Sequence, residues 1–133
     1  MKIGFVASAF DLLHPGHLAM LDEAKNHCDK LVVALHTNPK IERPNKNSPV
    51  ETTFERYLRL KGCKFVDEII PYDTEADLVN ILSILKPDVR FLGSDYQNQE
   101  NFTGKDLEIK IIYVSRDHNF SSSNLRSRLL KMS

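Results

Sequence analysis

Short apolar runs alternate with segments of helical periodicity along most of this chain. The runs cover residues 3–7, 31–35, 68–71, 89–92 and 109–114, and each has the length and composition of a buried strand. Helical patterns lie between or after most of them. Strands that alternate with helices at this spacing predict an α/β domain, a Rossmann-like, doubly wound open parallel sheet of about five strands with helices on both faces.

Apolar side chains at helical spacing give each predicted helix an inner face. The second helix is expected over residues 51–61, and Pro87 ends the third. The side chains expected to face the core are Leu18, Met20, Leu21 and Ala24 in the first helix, Leu78, Ile81, Leu82 and Leu85 in the third, and Leu125, Leu129 and Leu130 in the last. With 133 residues and 41% hydrophobic content, residues 1–133 suit one domain with a proper core and are too few for two.

The charge balance argues against one broad class of partner. Eighteen Lys and Arg residues balance eighteen Asp and Glu residues, so the broad positive field of a nonspecific nucleic-acid binder is missing. The two cysteines, Cys28 and Cys63, have no metal-binding spacing, and so sparse a pair is typical of reduced thiols. The sequence has no secretory pattern and no apolar run of membrane-spanning length. We therefore expect a cytoplasmic protein that binds neither nucleic acid nor membrane.

Polar segments follow the predicted strands where open parallel sheets bind ligands. Residues 8–17 follow the first strand, 37–46 the second, 93–96 the fourth and 116–123 the fifth. Ligands in such folds lie beyond the carboxyl ends of the strands, so these segments are expected to meet at one edge. The stretch 37–49 is irregular and long enough for a functional lid, although an ordinary solvated loop has the same composition.

Residues 14–17, His-Pro-Gly-His, set two imidazoles three positions apart at a predicted helix start. The fixed φ of Pro15 favours the first helical position, which makes His14 the N-cap. The amides of residues 16–18 would then lack an intrahelical acceptor, and the positive end of the helix dipole would attract an anion. His14 and His17 share one helical face, and Gly16 has no side chain to block close approach. The pattern predicts a polyphosphate site.

Two other interpretations of these histidines stay open. A histidine at a helix start can simply cap the helix. Asp11, His14 and His17 also have the composition of a metal site with two histidines and one carboxylate, but Asp11 lies outside the helix and no further ligand cluster is present in the sequence. The remaining histidines carry less weight, with His27 expected at the surface and His36 and His118 at the rim of the site.

Segments at opposite ends of the chain carry a family resemblance. Residues 10–17 (Phe-Asp-Leu-Leu-His-Pro-Gly-His) resemble the HxGH signature of the nucleotidyltransferase superfamily, and residues 121–126 (Ser-Ser-Ser-Asn-Leu-Arg) resemble its second signature. Residues 64–71 and 93–96 are similar to segments of glycerol-3-phosphate cytidylyltransferases. The resemblance implies nucleotidyl transfer from CTP to a small phosphorylated alcohol, by default glycerol 3-phosphate, with release of pyrophosphate.

The resemblance also implies roles for individual residues. The implied catalytic residues are His14, His17, Lys46 and Arg116, with Arg43 as a second candidate for the role of Lys46. The implied nucleotide-binding residues are Ser8, Ala9, Phe10, Gly16, Gly93, Asp95, Ser121, Ser122 and Ser123. The implied acceptor-binding residues are Asp11, Arg56 and Lys64, of which Arg56 would clamp the acceptor phosphate with its planar guanidinium. Mg²⁺ is expected to arrive with the triphosphate, held mainly by phosphate oxygens and water and assisted by Asp11. A homodimer is expected by analogy with the family.

Departures from the family pattern leave the nucleotide and the acceptor open. Ser8 stands where the family usually has glycine, and residues 116–121 differ from the segment that lines the nucleotide pocket in relatives. Residues 85–88 and 93–96 also resemble the heptose-phosphate adenylyltransferases, which use ATP. An ATP-dependent adenylyltransferase acting on a sugar phosphate is therefore the alternative. A noncatalytic nucleotide sensor is an alternative of another class, and an RNA-binding role ranks last because the sequence has no anticodon-binding extension.

Overall fold

The computed structural model of the chain describes residues 1–94, 102–114 and 130. Strands and helices alternate within these residues in the predicted order. They are β1 (Ile3–Ser8), α1 (Pro15–Asn26), β2 (Lys30–His36), α2 (Thr53–Lys61), β3 (Glu68–Tyr72), α3 (Glu75–Leu85), β4 (Val89–Gly93) and β5 (Lys110–Val114), with a short 3-10 helix at Pro39–Ile41. The predicted last helix lies outside the described residues except for Leu130, which is helical.

The strands pair in parallel in the order β3-β2-β1-β4-β5. The chain builds β1, β2 and β3 outward in one direction and then returns to place β4 on the other side of β1. The strand order therefore reverses between β1 and β4, and doubly wound sheets bind ligands beyond the carboxyl ends of the strands at such a point. The predicted Rossmann-like fold is confirmed, and the segment that carries both histidines of the motif leaves the sheet at this crevice.

Neighbouring residues of β1 face opposite layers of helices. Val6 belongs to a buried cluster with Leu21 of α1 and Leu60 of α2. Phe5 belongs instead to a cluster with Leu78 of α3. This period of two is what a strand buried on both faces requires. Helices thus cover both faces of the sheet, with α1 and α2 on one and α3 on the other.

The inner face of α1 differs from the prediction at one position. Leu21 and Ala24 are fully buried, but Leu18 is 37% exposed. Because an α-helix turns by roughly 100° per residue, Leu18 lies about 120° around the helix from Ala24 and outside the packed face. Met20 packs against the core while partly exposed, as an edge position should.

Local signals fix the ends of the other helices. α2 begins with a capping box between Thr52 and Glu55, two residues later than predicted, so Glu51 lies in the loop ahead of the helix. α3 ends at Leu85, before Pro87, as predicted. Within the described ranges, no helix has the length and apolar character needed to cross a membrane.

Candidate active site

His14 and His17 cap the start of α1 by exchanging hydrogen bonds. The Nδ1 atom of His14 accepts from the amides of Gly16 at 3.1 Å and His17 at 3.4 Å. The Nδ1 atom of His17 accepts from the amide of His14 at 3.2 Å. This is the geometry of a capping box in which imidazoles replace the usual hydroxyl and carboxylate. The two rings stack with centroids 3.8 Å apart and an interplanar angle of 18°, so the predicted pairing of the imidazoles is confirmed.

The capping contacts define which nitrogen of each ring carries the proton. An Nδ1 atom that accepts hydrogen bonds from amides must present its lone pair, so in the neutral ring the proton lies on Nε2. Both histidines therefore have an Nε2–H donor. Two parallel rings with donors at the start of a helix, where the dipole is positive, form a suitable contact for phosphate oxygens.

The helix-start amides differ from the prediction. The amides of residues 16–18 were expected to lack an intrahelical acceptor. Those of Gly16 and His17 donate to the capping Nδ1 of His14, and the amide of Leu18 does have a main-chain acceptor, the carbonyl of His14 at 3.1 Å. Gly16 is buried. The side chain of His14 thus accepts the hydrogen bonds that the Gly16 and His17 amides would otherwise donate to an anion. The Nε2–H groups of the imidazoles are left as the donors for an anion.

The loop before His14 contains two residues in the left-handed region, Phe10 at φ 49° and Leu12 at φ 57°. The Phe10 side chain is 1% exposed, and its ring lies edge-on to His17 with centroids 5.4 Å apart. The buried ring thus packs against His17, and the nucleotide contact of Phe10 stays a prediction. Ser8 ends β1, and its hydroxyl lies 3.5 Å from the amide of Phe10.

Asp11 and Glu51 join the loop before α1 to the loop before α2. The carboxylate of Asp11 accepts from the amides of Val50 at 2.8 Å and Glu51 at 3.0 Å. The carboxylate of Glu51, which is 8% exposed, accepts from the amide of Leu12 at 2.8 Å and pairs with Arg59 at 2.5 Å. Asp11 was expected to bind the acceptor or assist a metal, but both of its oxygens accept main-chain amides. In the part of the chain that the structure describes, no group of three or more potential ligands is arranged to hold a metal ion.

Arg56 is 1% exposed and donates five hydrogen bonds within the protein. Its acceptors are the carbonyls of Ala9, His36, Thr37 and Glu51 and the hydroxyl of Thr53. Burial lowers the pKa of Arg56, although Asp11 and Glu51 counteract this effect. The geometry differs from the predicted phosphate clamp, because the guanidinium is used to hold the ends of β1 and β2 against α2.

The long loop after β2 carries Lys46 and Arg43. Lys46 is exposed, and its amide donates to the carbonyl of Arg43 at 2.9 Å. The side chain of Arg43 forms a salt bridge with Glu75 of α3 at 3.3 Å, and the carboxylate of Glu42 accepts from the amide of Glu75 at 2.8 Å. The loop is thus held on the start of α3, and Arg43 is engaged there. Whether Lys46 approaches a nucleotide stays a prediction.

Lys64 lies at the opposite edge of the sheet from the histidines. It precedes β3 and therefore sits near the amino ends of the strands, with Nζ 5.4 Å from the centroid of the Phe65 ring. The five residues of β3 span roughly 17 Å, which is more than a lysine side chain can bridge. This separation places Lys64 apart from His14 and His17 within the chain, and its acceptor contact stays a prediction.

The other predicted site residues divide between the crevice and the part of the chain that is not described. Gly93 is buried at the carboxyl end of β4, next to β1 in the sheet, as expected. The predictions for Arg116, His118, Asp95, Ser121, Ser122 and Ser123 lie outside the described residues. Their place in the site stays a prediction.

Two residues near the site differ from what the sequence indicated, His36 in its burial and Glu51 in the contacts of its carboxylate. His36 was expected at the rim, but it is 5% exposed and its ring stacks on Tyr72 with centroids 4.6 Å apart. Glu51 was expected only as the first residue of a helix. Its buried carboxylate could have been anticipated only from the contacts of the Asp11 loop, which lie 39 residues away in sequence. His27 is exposed, as predicted.

Comparisons with known proteins identify the family of the chain. The family model described as Cytidylyltransferase-like matches residues 5–128. Bifunctional protein HldE of Caulobacter sp. (strain K31) is 33% identical over 134 residues, which cover 97% of this chain and 27% of that protein. Bifunctional protein HldE of Helicobacter hepaticus is 33% identical over 138 residues, covering 99% of this chain and 28% of that protein. The chain therefore spans little more than a quarter of the length of these relatives.

Solved structures show the same fold. A lipopolysaccharide core biosynthesis protein from Thermoplasma volcanium GSS1 aligns with a TM-score of 0.63 and 25% identity, covering 99% of this chain and 88% of that one. Pantothenate synthetase from Thermus thermophilus aligns with a TM-score of 0.60 over 86% of this chain and 56% of that one, and at 18% identity this likeness concerns the fold alone. Because the family model covers nearly the whole chain, including both histidines of the motif, this chain belongs to the cytidylyltransferase-like family of the nucleotidyltransferase superfamily.

Proposed function

We propose that this chain transfers an adenylyl group from ATP to the phosphate of a small sugar phosphate, such as a heptose phosphate. A phosphate oxygen of the acceptor attacks the α-phosphorus of ATP, the bond to the β-phosphate breaks, and pyrophosphate leaves. The observation that carries the proposal is the stacked pair of His14 and His17 at the carboxyl end of β1, whose Nδ1 atoms accept main-chain amides and so leave Nε2 of each neutral ring as the donor.

The proposed catalysis is alignment and charge neutralisation. Both substrates are anionic, so donors held in place before the reaction lower the barrier more than donors that must reorganise. His14 and His17 fit this requirement because their Nδ1 contacts fix the ring orientations. Lys46 and Arg116, together with the serines at 121–123, are proposed to complete the triphosphate site, while the main chain at Ser8, Ala9 and Gly93 borders the nucleoside.

The choice of ATP over CTP rests on the relatives and on two segments of the chain. The matched relatives carry the name HldE, and one structural neighbour is named as a lipopolysaccharide core biosynthesis protein. Residues 85–88 and 93–96 resemble the heptose-phosphate adenylyltransferases, and Gly93 lies at the carboxyl edge where the nucleotide is expected. These observations support the ATP-dependent alternative better than the CTP interpretation that the glycerol-3-phosphate resemblance favoured.

Transfer from CTP to glycerol 3-phosphate is the second candidate. It is supported by the likeness of residues 64–71 to the cytidylyltransferases of that substrate and by the description of the matching family. The support from residues 64–71 is weaker than it was from sequence alone, because the segment begins at the amino edge of the sheet.

We further propose that Mg²⁺ enters with the triphosphate. Phosphate oxygens and water would supply most of its ligands, in keeping with the engagement of both Asp11 oxygens by main-chain amides. A homodimer and a cytoplasmic location remain predictions. Light-scattering mass tests the first, and the free thiols of Cys28 and Cys63 favour a reducing compartment for the second.

The test is pyrophosphate release by the purified chain with Mg²⁺, either ATP or CTP, and a panel of heptose phosphates, other sugar phosphates and glycerol 3-phosphate. We expect release with ATP and a sugar phosphate, together with an ADP-linked product. Faster release with CTP and glycerol 3-phosphate would favour the second candidate. A nucleotide that raises the melting temperature but supports no turnover with any acceptor would indicate a sensor and contradict the proposal.

A further inference from the structure

We propose that Glu51 is a positioning residue that holds the histidine loop, residues 9–14, in its working geometry. The proposal rests on the nucleotidyl transfer proposed above and adds a residue outside both signature motifs. Glu51 acts through the main chain that carries the histidines, because its carboxylate binds the amide of Leu12.

The contacts of Glu51 are reciprocal with those of the histidine loop. Its Oε1 atom accepts from the amide of Leu12 at 2.8 Å. The carboxylate of Asp11 accepts in return from the amides of Val50 and Glu51. Three hydrogen bonds thus join two loops whose partners lie 39 and 40 residues apart in sequence. Glu51 itself is 8% exposed, so its bond to the Leu12 amide is partly shielded from solvent, which strengthens it.

The histidine loop needs such support because of its backbone. Phe10 and Leu12 both have positive φ values, 49° and 57°, and non-glycine residues keep this conformation only where the surrounding structure holds them. The Leu12 amide, two positions before His14, is held by Glu51. The other strained residue, Phe10, has its ring against His17. A relaxation at Leu12 would therefore move both imidazoles from the positions that the capping contacts define.

The cap of α2 forms without Glu51, whose carboxylate also pairs with Arg59 later in that helix at 2.5 Å. That helix is capped by Thr52 and Glu55, whose side chains exchange bonds with each other's amides at 3.1 Å and 2.9 Å. Glu51 stands outside this capping box. Glu55 is therefore a matched control, since it is a glutamate at the start of the same helix whose carboxylate binds the amide of Thr52 instead of the histidine loop.

The experiment compares Glu51→Gln, Glu51→Asp, Glu51→Ala and Glu55→Ala by kcat and by the KM for ATP. Glutamine keeps an oxygen within reach of the Leu12 amide, whereas aspartate keeps the charge but draws the oxygen back. We expect Glu51→Asp and Glu51→Ala to lower kcat by roughly 10- to 100-fold, the effect of misplacing a catalytic group by about 1 Å. Their KM for ATP should stay within a few-fold of that of the wild type. Glu51→Gln and Glu55→Ala should retain most of the wild-type kcat.

A wild-type kcat in Glu51→Asp, or an equal loss of kcat in Glu51→Gln and Glu51→Asp, would overturn the proposal. If Glu51→Ala does not fold, the contrast between Gln and Asp still decides. The ¹⁵N resonances of the His14 and His17 rings give a second readout that needs no turnover. Glu51→Asp should shift them and Glu55→Ala should not. Absence of transfer in the wild-type protein would refute the proposed function alone, and unshifted resonances in Glu51→Asp would refute the positioning role.

Discussion

The imidazole of His36 stacks on the ring of Tyr72 where β2 and β3 end side by side, with centroids 4.6 Å apart and an interplanar angle of 22°. Among the residues that the structure describes, Nε2 of His36 has no hydrogen-bond partner. Burial lowers the pKa of His36, and Glu75 together with the main chain of Asp73 counteracts this only in part. The folded protein therefore favours the neutral ring.

This burial predicts a pH dependence of stability. The unfolded chain takes up a proton at His36 below a pH of about 6.5, while the folded protein does so only at lower pH. The stability associated with the neutral ring is thus fully present above about pH 6.5 and is lost as the pH falls through the lowered pKa of the folded state. Urea unfolding of wild type and His36→Gln between about pH 7.5 and 5 measures this contribution. On acidification the wild type should lose more unfolding free energy than His36→Gln. A difference between the two proteins that stays constant with pH would contradict the prediction.

Arg56 is predicted to contribute mainly to stability. Arg56→Lys removes the planar fork that holds the carbonyls of Ala9, His36 and Thr37, and it leaves some of these buried acceptors without a donor. We expect a loss of about 2 kcal/mol or more in unfolding free energy. Arg59→Lys is the control, because the Arg59 side chain is 55% exposed and its replacement should cost less than about 1 kcal/mol. If Arg56→Lys left the unfolding midpoint unchanged and raised the KM for the acceptor, the result would contradict this prediction and favour the role of Arg56 as a phosphate clamp.

Gly4 is predicted to tolerate no side chain. A Cβ at this position in β1 would lie 2.7 Å from Sγ of Cys28 and 2.7 Å from a ring carbon of Phe91, so Gly4→Ala should destabilise the fold by about 1–3 kcal/mol. Gly62→Ala is the matched control, because the nearest atom to its Cβ would be the carbonyl oxygen of Arg59 at 3.5 Å. Thermal unfolding of both variants tests the prediction. Equal melting temperatures would show that the side chains of Cys28 and Phe91 can shift to admit a methyl group.

The sequence predicts the scaffold well because its signals are local. Apolar runs place the strands to within a residue or two, and Pro15 correctly indicates the start of α1 and the capping position of His14. The pairing of His14 with His17 also follows from local spacing, since residues three apart share a helical face. Each of these features is determined by residues within one helical turn or one strand, so the sequence alone is enough to predict it.

The errors arise where tertiary contacts decide what a side chain does. Spacing alone did not show that the Arg56 guanidinium would meet three converging carbonyls, because these come from the ends of two separate strands. The sequence did not show whether the turn that carries Lys64 lies at the amino or the carboxyl edge of the sheet. The sequence left open whether His14 would cap the helix or leave its first amides to an anion, and in the structure Nδ1 of His14 accepts both the Gly16 and the His17 amides.

The central claim is that the Nε2–H groups of the stacked imidazoles serve the nucleotidyl transfer, and His17→Gln tests it most directly. Glutamine is a usual residue at the third position of a capping box, so its side chain can accept from the His14 amide and preserve the start of α1. His27→Gln, at the other end of α1 where the side chain is exposed, is the matched control. The measurement is kcat for pyrophosphate release by variants whose melting temperatures match the wild type. We predict a loss of ~100-fold or more for His17→Gln and none for His27→Gln; a wild-type kcat in folded His17→Gln would contradict the claim.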